Sequence, residues 1–373
     1  MDAHLPPELW LRILHLVVEP NIDLRADEYT PFQPPPEGRL EAHVELTALL
    51  VRVCRSWYAL LLPRLCRDVQ LGRGSIPLPQ HVRRIVLPYT STDQSLGHNA
   101  IATIEQLRQC TDIETLCRPF VEDLKVRPGP PMPPLPLSLQ RLEWFNQRHF
   151  HHSGINSLVD FLVRCPNLRY LFIGSAQNAW IPEADYMCIE LLALETLRLR
   201  LNRRGWDIEG LLANWSLPSL TTLILDVPLF NEDSQKFWTS VGQNLTRVEL
   251  GDSFRFERRD YLTDCLQGCP KLQDLGYYVW DTCLPAHPPS HPSLQRVRLQ
   301  CGGTPAAIYF HESKEGELLR KHIFAFNHAG MQSLTTFILY GRNDWGVLTC
   351  GPVWKSVEED LATKKRELVI SYG

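Results

Sequence analysis

The sequence is poor in the signals that mark enzymes, membrane proteins and nucleic-acid-binding proteins. It has no G-x-S-x-G elbow, no phosphate-cradling P-loop and no H-E-x-x-H helix, so no ready catalytic constellation stands out. Bases do not outnumber acids: 38 Lys and Arg face 42 Asp and Glu, a net charge of -4. Bulk nucleic-acid binding usually needs a basic excess and is not expected. No run of eighteen apolar residues is free of charge, which argues against a transmembrane helix and a membrane partner. The apolar opening is interrupted by Glu8, Arg12 and Glu19, and no small-residue cleavage site follows. It therefore reads as a folded part of the mature protein, not a signal peptide.

Metal-ligand spacing is also missing. The eleven cysteines are odd in number and scattered. Cys54, Cys165, Cys265 and Cys269 sit within apolar helical patterns and read as reduced, buried residues. That points to an intracellular protein, cytoplasmic, nuclear or both. Cys265 and Cys269 could share a helix face, but two further zinc ligands at suitable spacing are lacking. His149, His151 and His152 cluster in "RHFHHSG". Adjacent strand residues point to opposite faces, so they read as surface or loop residues. No metal, no cofactor and no catalytic activity of its own are expected.

What is present is a repeat. The pattern L-x-x-L-x-L recurs in segments starting at Val82, Ile113, Leu139, Leu168, Leu194, Leu220, Leu245, Leu272, Leu294 and Leu334. The "IETLCR" segment at Ile113 is the weakest. The steps run from 22 to 31 residues, except for one of 40 between the last two, mostly in or near the leucine-rich-repeat range. Each segment alternates apolar and polar residues like a half-buried strand. Between them, "INSLVDFLVRCP", "SQKFWTSVGQ" and "DYLTDCLQGCP" carry helical spacing, and Pro166 and Pro270 stop two of those helices. One unit cannot bury its own apolar face, whereas stacked units can. The asparagine slot of the standard repeat holds asparagine only at Asn202, so the solenoid should be irregular. The long last step leaves room for a helix near "GELLRKHIFAF", and "KRELVIS" could add a final strand blunted by its charges. "PGPPMPPLP", from Pro128 to Pro136, has polyproline-ligand spacing; its place between two repeats favours a rigid loop.

The first seventy residues pose a different question. In "LPPELWLRILHLV", Leu9, Ile13 and Leu16 form one helical stripe, while Trp10, Leu14, Val17 and Val18 form a second. A surface helix needs one. A proline-rich, acidic stretch follows and reads as an exposed loop. Then comes "LTALLVRVCRSWYALLLPRL", where Leu46, Leu49, Leu50, Val53, Trp57 and Leu61 line one helical face beside Leu60. Further apolar surface remains at Val51, Cys54 and Tyr58. So small a unit would be marginal alone, and its surplus apolar surface suggests a cover, either a partner or the first repeats.

"LPPELWLRIL" and "LVRVCRSWYALLLPRL" together resemble an F-box. Leu5, Pro6, Glu8, Leu9, Ile13 and Leu14 match its opening; Val53, Cys54, Arg55, Trp57 and Leu60 match its V-C-[KR]-x-W part. Some twenty-five extra residues separate the halves. The order of modules is similar to that of F-box proteins with leucine-rich repeats. The resemblance implies an α/β architecture: a short all-α F-box over residues 1–71, with an inserted loop at about 18–45. An irregular leucine-rich-repeat solenoid would follow over 72–373, with parallel strands on its concave face and helices on its convex face. It implies a substrate-recognition subunit of an SCF-type ubiquitin ligase. The F-box would dock on a Skp-type adaptor hung from a cullin–RING ligase, and the repeats would bind an unidentified protein substrate. Adaptor contacts would fall to Leu5, Pro6, Glu8, Leu9, Ile13, Leu14, Val53, Cys54, Trp57 and Leu60. The alternative is a repeat scaffold with no link to a ligase.

In such repeats the third, fifth and seventh residues face away from the leucine core. They include Arg84, Arg141, Arg198, Arg200, Arg247, Arg296 and Arg298, against the acids Glu143, Asp226, Glu249 and Asp274. Phe145, Tyr170, Phe172, Tyr278 and Tyr340 add aromatic surface. Guanidinium forks and rings suit acidic or phosphorylated peptides, which makes Arg141, Tyr170, Phe172, Arg198, Arg200, Arg247, Tyr278, Arg296 and Arg298 candidate substrate contacts. The competing reading pairs these arginines with the nearby acids.

Overall fold

The structure is a computed structural model. It describes residues 6–18, 31–33, 42–71, 76, 78–91, 98–119, 129–146, 154–175, 188–201, 212, 214–227, 234–287, 289–301, 312–341 and 352–371. The chain divides into two compact units. The first holds residues 1–29 and 36–194; the second holds 30–35 and 195–373.

The first unit opens with three helices: α1 (Pro7–Val18), α2 (Ala42–Leu50) and α3 (Arg55–Leu65). Pro7 starts α1 without leaving an unmet amide, and the Pro6 carbonyl accepts from Leu9 and Trp10 at 3.0 and 3.1 Å. The continuous helical face expected from Leu46 to Leu61 is broken. Residues 51–53 form a turn, and Cys54 is extended (φ -158°, ψ 168°) with its sulfur accepting from the Trp57 amide. This cap restarts the helix on a new face. Cys54 is therefore exposed rather than buried.

Strands β1 (Asp68–Gln70), β2 (Arg84–Val86), β3 (Thr115–Arg118), β4 (Arg141–Asn146) and β5 (Tyr170–Ser175) then pair in parallel, each with the next. Strand β1 had no counterpart among the repeat starts. Its pairing with β2, Asp68 opposite Arg84, carries the sheet across the junction expected at residue 71. Helices α4 (Ala100–Gln109) and α5 (Leu158–Leu162) lie between strands. Trp144 of β4 packs on Phe161 of α5, ring centroids 5.2 Å apart. The proline-rich loop is built in: Met132 is buried, and the Pro130 carbonyl accepts from the Ile155 amide. Gly154 makes that approach possible. It has φ +72°, and a Cβ there would lie 2.2 Å from the Pro130 carbonyl oxygen.

The second unit carries β6 (Thr196–Leu201), β7 (Thr222–Leu225), β8 (Arg247–Leu250), β9 (Asp274–Tyr278), β10 (Arg296–Gln300), β11 (Thr336–Tyr340) and β12 (Glu367–Ser371), all paired in parallel in chain order. Each of the ten repeat starts lies two residues ahead of a strand. The fourth residue of each repeat stacks in register, from Leu197 through Leu223, Val248, Leu275 and Val297 to Phe337, and all six are fully buried. Each such side chain contributes about 1.5–3 kcal/mol. Helices α6 (Ser234–Val241), α7 (Tyr261–Gly268), α8 (Glu312–Phe326) and α9 (Pro352–Thr363) connect strands. Helix α8 is the one expected in the long step, and His322 and Phe326 pack on Tyr277. Helices α6 and α7 touch through Gly268, where a Cβ would meet that of Trp238 at 2.3 Å. The final strand matches "ELVIS". Asn202 and the histidine cluster lie outside the described residues. No described helix is long and apolar enough to cross a membrane.

Candidate interaction surfaces

The N-terminal helices use one apolar stripe internally. Leu14 and Leu61 are buried together, with Leu50, Val51, Trp57 and Leu60 packed around them. Trp10 tilts against Trp57 with centroids 5.3 Å apart. Other apolar side chains are uncovered: on α1 Leu9 is 45% exposed and Ile13 40%, at the end of α2 Leu49 is 62% exposed, and in the turn after it Val53 is 59% exposed. The candidate adaptor contacts thus separate. Leu9, Ile13 and Val53 present apolar surface to solvent, beside exposed Pro6, Glu8 and Cys54. Leu14 is core, Trp57 and Leu60 are half-buried, and Leu5 lies outside the described residues.

On the face opposite the leucine ladder, six of the arginines approach acids of that same face. In the first unit Arg141 donates to Glu143 at 2.7 Å and stacks 3.7 Å above the Tyr170 ring, while Arg84 approaches the same carboxylate at 3.7 Å. Burial alone would raise the Glu143 carboxyl; Arg141, Arg84 and hydrogen bonds from Arg141 and Cys117 hold it below its usual value. Phe172 is fully buried beside Phe145. In the second unit Arg198 forks onto Asp226, at 2.8 Å from Nε and 2.7 Å from Nη2. Asp274, 1% exposed, collects Arg298 at 2.7 Å, Arg296 at 3.2 Å and Arg247 at 3.7 Å. Arg298 also donates to the Tyr340 hydroxyl at 2.8 Å. Arg200 is exposed. Arg84, Arg141, Arg198, Arg247, Arg296 and Arg298 meet acids of the same face, as the pairing alternative expected.

Two residues escaped the sequence reading. Arg118 sits in the leucine slot of the weak "IETLCR" repeat and is fully buried. Its guanidinium donates to the carbonyls of Leu87, Pro88 and Ile155, and lies 4.6 Å from the Tyr89 ring and 4.9 Å from the Trp144 ring. Its pKa is brought down to about 10 by burial, against the pull of Tyr89 and Cys117. Phe32 is the second. The stretch read as an exposed loop places this ring, 7% exposed, on the polar face of the second unit, between Tyr278 and Tyr340. The only signal was an aromatic set among prolines.

Among the described residues, no group of three or more His, Cys, Asp or Glu side chains could hold a metal ion. No family model matches the chain, and no curated protein matches it. Among solved structures it is similar to that of a protein from Bacteroides fragilis, at 13% identity and a TM-score of 0.36. The likeness covers 79% of this chain and 66% of that one, just under two-thirds of the other protein's length.

Proposed function

We propose that the protein is the substrate-recognition subunit of an SCF-type ubiquitin ligase: a non-catalytic receptor whose N-terminal helices bind a Skp-type adaptor and whose strands present a surface to the substrate. The observation that carries this reading is the exposed apolar side chains of Leu9 and Ile13 on α1, Leu49 on α2 and Val53 in the turn that follows, on a unit whose buried core is Leu14 and Leu61. Two of the four, Leu9 and Val53, belong to the LPPEL and VCRSW segments that resemble an F-box, and Ile13 is in its Ile/Leu pair. Desolvating such apolar anchors supplies most of the affinity in helix-in-groove recognition.

The test is co-purification with a Skp-type adaptor and a cullin. Ile13→Asp with Val53→Asp should abolish capture while the unfolding transition is retained, because both side chains already face water. Trp57→Ala is a poorer choice, since Trp57 packs on Trp10 and its loss would disturb the helices themselves. Undiminished adaptor capture by the double variant would refute the reading.

A further inference from the structure

The seat of Phe32 has the form of a peptide site with a guest in place. The Phe32 amide donates to Glu249 Oε2 at 3.0 Å, and the next carbonyl, that of Gln33, accepts from Arg198 Nη2 at 2.9 Å. The ring meets Tyr278 edge-on, centroids 5.4 Å apart at 84°, and Tyr340 at 5.3 Å and 64°. Gly276 lies beneath: a Cβ there would touch the tip of the ring at 3.4 Å, an ordinary contact, and a longer side chain would enter the place of the ring. Phe32 is left-handed, φ 56°, a conformation uncommon outside glycine, so the peptide enters as a tight turn.

Two of the lining side chains, Arg198 and Tyr340, are held by bonds that do not involve the guest. Arg198 is forked onto Asp226, and Tyr340 receives Arg298, which is itself forked onto Asp274. Side chains held in this way lower the cost of ordering the site around a guest. Its reading is also selective. The two backbone bonds accept any residue, whereas the slot between two tyrosines over a glycine requires a flat ring.

We propose that this slot is a recognition site for an aromatic residue in a proline-flanked turn of a partner protein, and that Pro31-Phe32-Gln33 fills it in cis as an internal competitor. The inference deepens the receptor reading by naming the class of its ligand, but peptide binding is measured without adaptor or ligase and so fails or succeeds separately.

The probe is a fluorescein-labelled peptide of residues 28–36, EYTPFQPPP, titrated with the full chain and read by anisotropy. A tethered guest at an effective concentration of about 1 mM suppresses a free peptide of about 100 µM affinity roughly tenfold. The Phe32→Ala chain should therefore bind the probe about tenfold more tightly than the natural chain. Adding Tyr278→Ala or Gly276→Leu should abolish that binding, and so should replacing the phenylalanine of the probe by alanine. Equal binding to the natural and Phe32→Ala chains would overturn the proposal. So would binding that survives Tyr278→Ala, or no binding to a folded Phe32→Ala chain. If Phe32→Ala does not fold, Phe32→Leu keeps apolar volume but fits the slot poorly; it must still bind the probe more tightly than the natural chain, or the proposal falls.

Discussion

Two leucine-rich regions of this chain treat their apolar side chains in opposite ways. In the strand ladder of the second unit, Leu197, Leu223 and Leu275 are 0% exposed. In helices α1 and α2, Leu9 and Leu49 stand 45% and 62% exposed. Both regions have the right period for their secondary structure. What differs is the cover. Each strand buries its apolar residues against the next strand and the connecting helices, and stability is then carried by neighbour interfaces. The helices have a core of two fully buried leucines and a second stripe with no such neighbour among the described residues. Leucine content therefore does not separate buried from exposed side chains; the supply of neighbours does.

The largest expected effect comes from removing neighbours. Ending the chain after Gly302 deletes α8, β11, α9 and β12, and strips the cover from Val297 and Leu299. The remainder should aggregate or be rapidly digested, as read by gel filtration and limited trypsin treatment. A monodisperse, resistant fragment would break the neighbour argument. Next in size is the charge ladder. Arg198→Met leaves the Asp226 carboxylate, 5% exposed, without its fork, and should cost about 3–5 kcal/mol. Arg198→Met with Asp226→Leu should recover most of that in urea unfolding, because the buried charge goes with its partner.

The same leucine change in the two regions tests their difference directly. Leu223→Ala should cost about 2–5 kcal/mol through transfer and cavity. Asp281→Asn should act in the opposite direction. Asp281 is 3% exposed, its Oδ2 has no hydrogen-bond partner among the described residues, and burial with the nearby Asp252 and Glu257 raises its pKa from 3.8 to about 6. The folded state thus binds the extra proton between those values. Its penalty is absent below the unfolded pKa and complete above about pH 6. Asparagine should add about 1–3 kcal/mol at pH 7. His322 slopes the other way: burial lowers it from 6.5 to about 3, so its contribution is lost as pH falls through that window. Asp281→Asn should therefore also steepen acid unfolding, and an unchanged profile between pH 4 and 6 would contradict this assignment. The smallest effect is Leu49→Ala, within about 0.5 kcal/mol. A cost comparable to that of Leu223→Ala would mean that Leu49 has a cover after all.

Much of this was legible in the chain itself, because periodicity is a property of contiguous residues. The ten repeat starts, the helix in the long step and the last strand follow from the alternation of leucine and polar residues. So does the doubling of stripes in α1, though not which stripe would be buried: Leu14 and Ile13 look alike in sequence, and only packing against Leu61 and Trp57 separates them. The break at Cys54 turned on one side-chain cap. Strand β1 was missed because "DVQ" is too short to show a period.

The sequence by itself determined the strand period, the apolar ladder and the surplus stripe, because each is set by side chains within a few residues of one another. Only the tertiary structure decided which charges meet and what fills the polar face. Arg198 finds Asp226 across 28 residues, and the Phe32 amide finds Glu249 across 217. Such pairs are fixed by register between strands and by where a distant segment comes to lie, and no local pattern of residues carries that information.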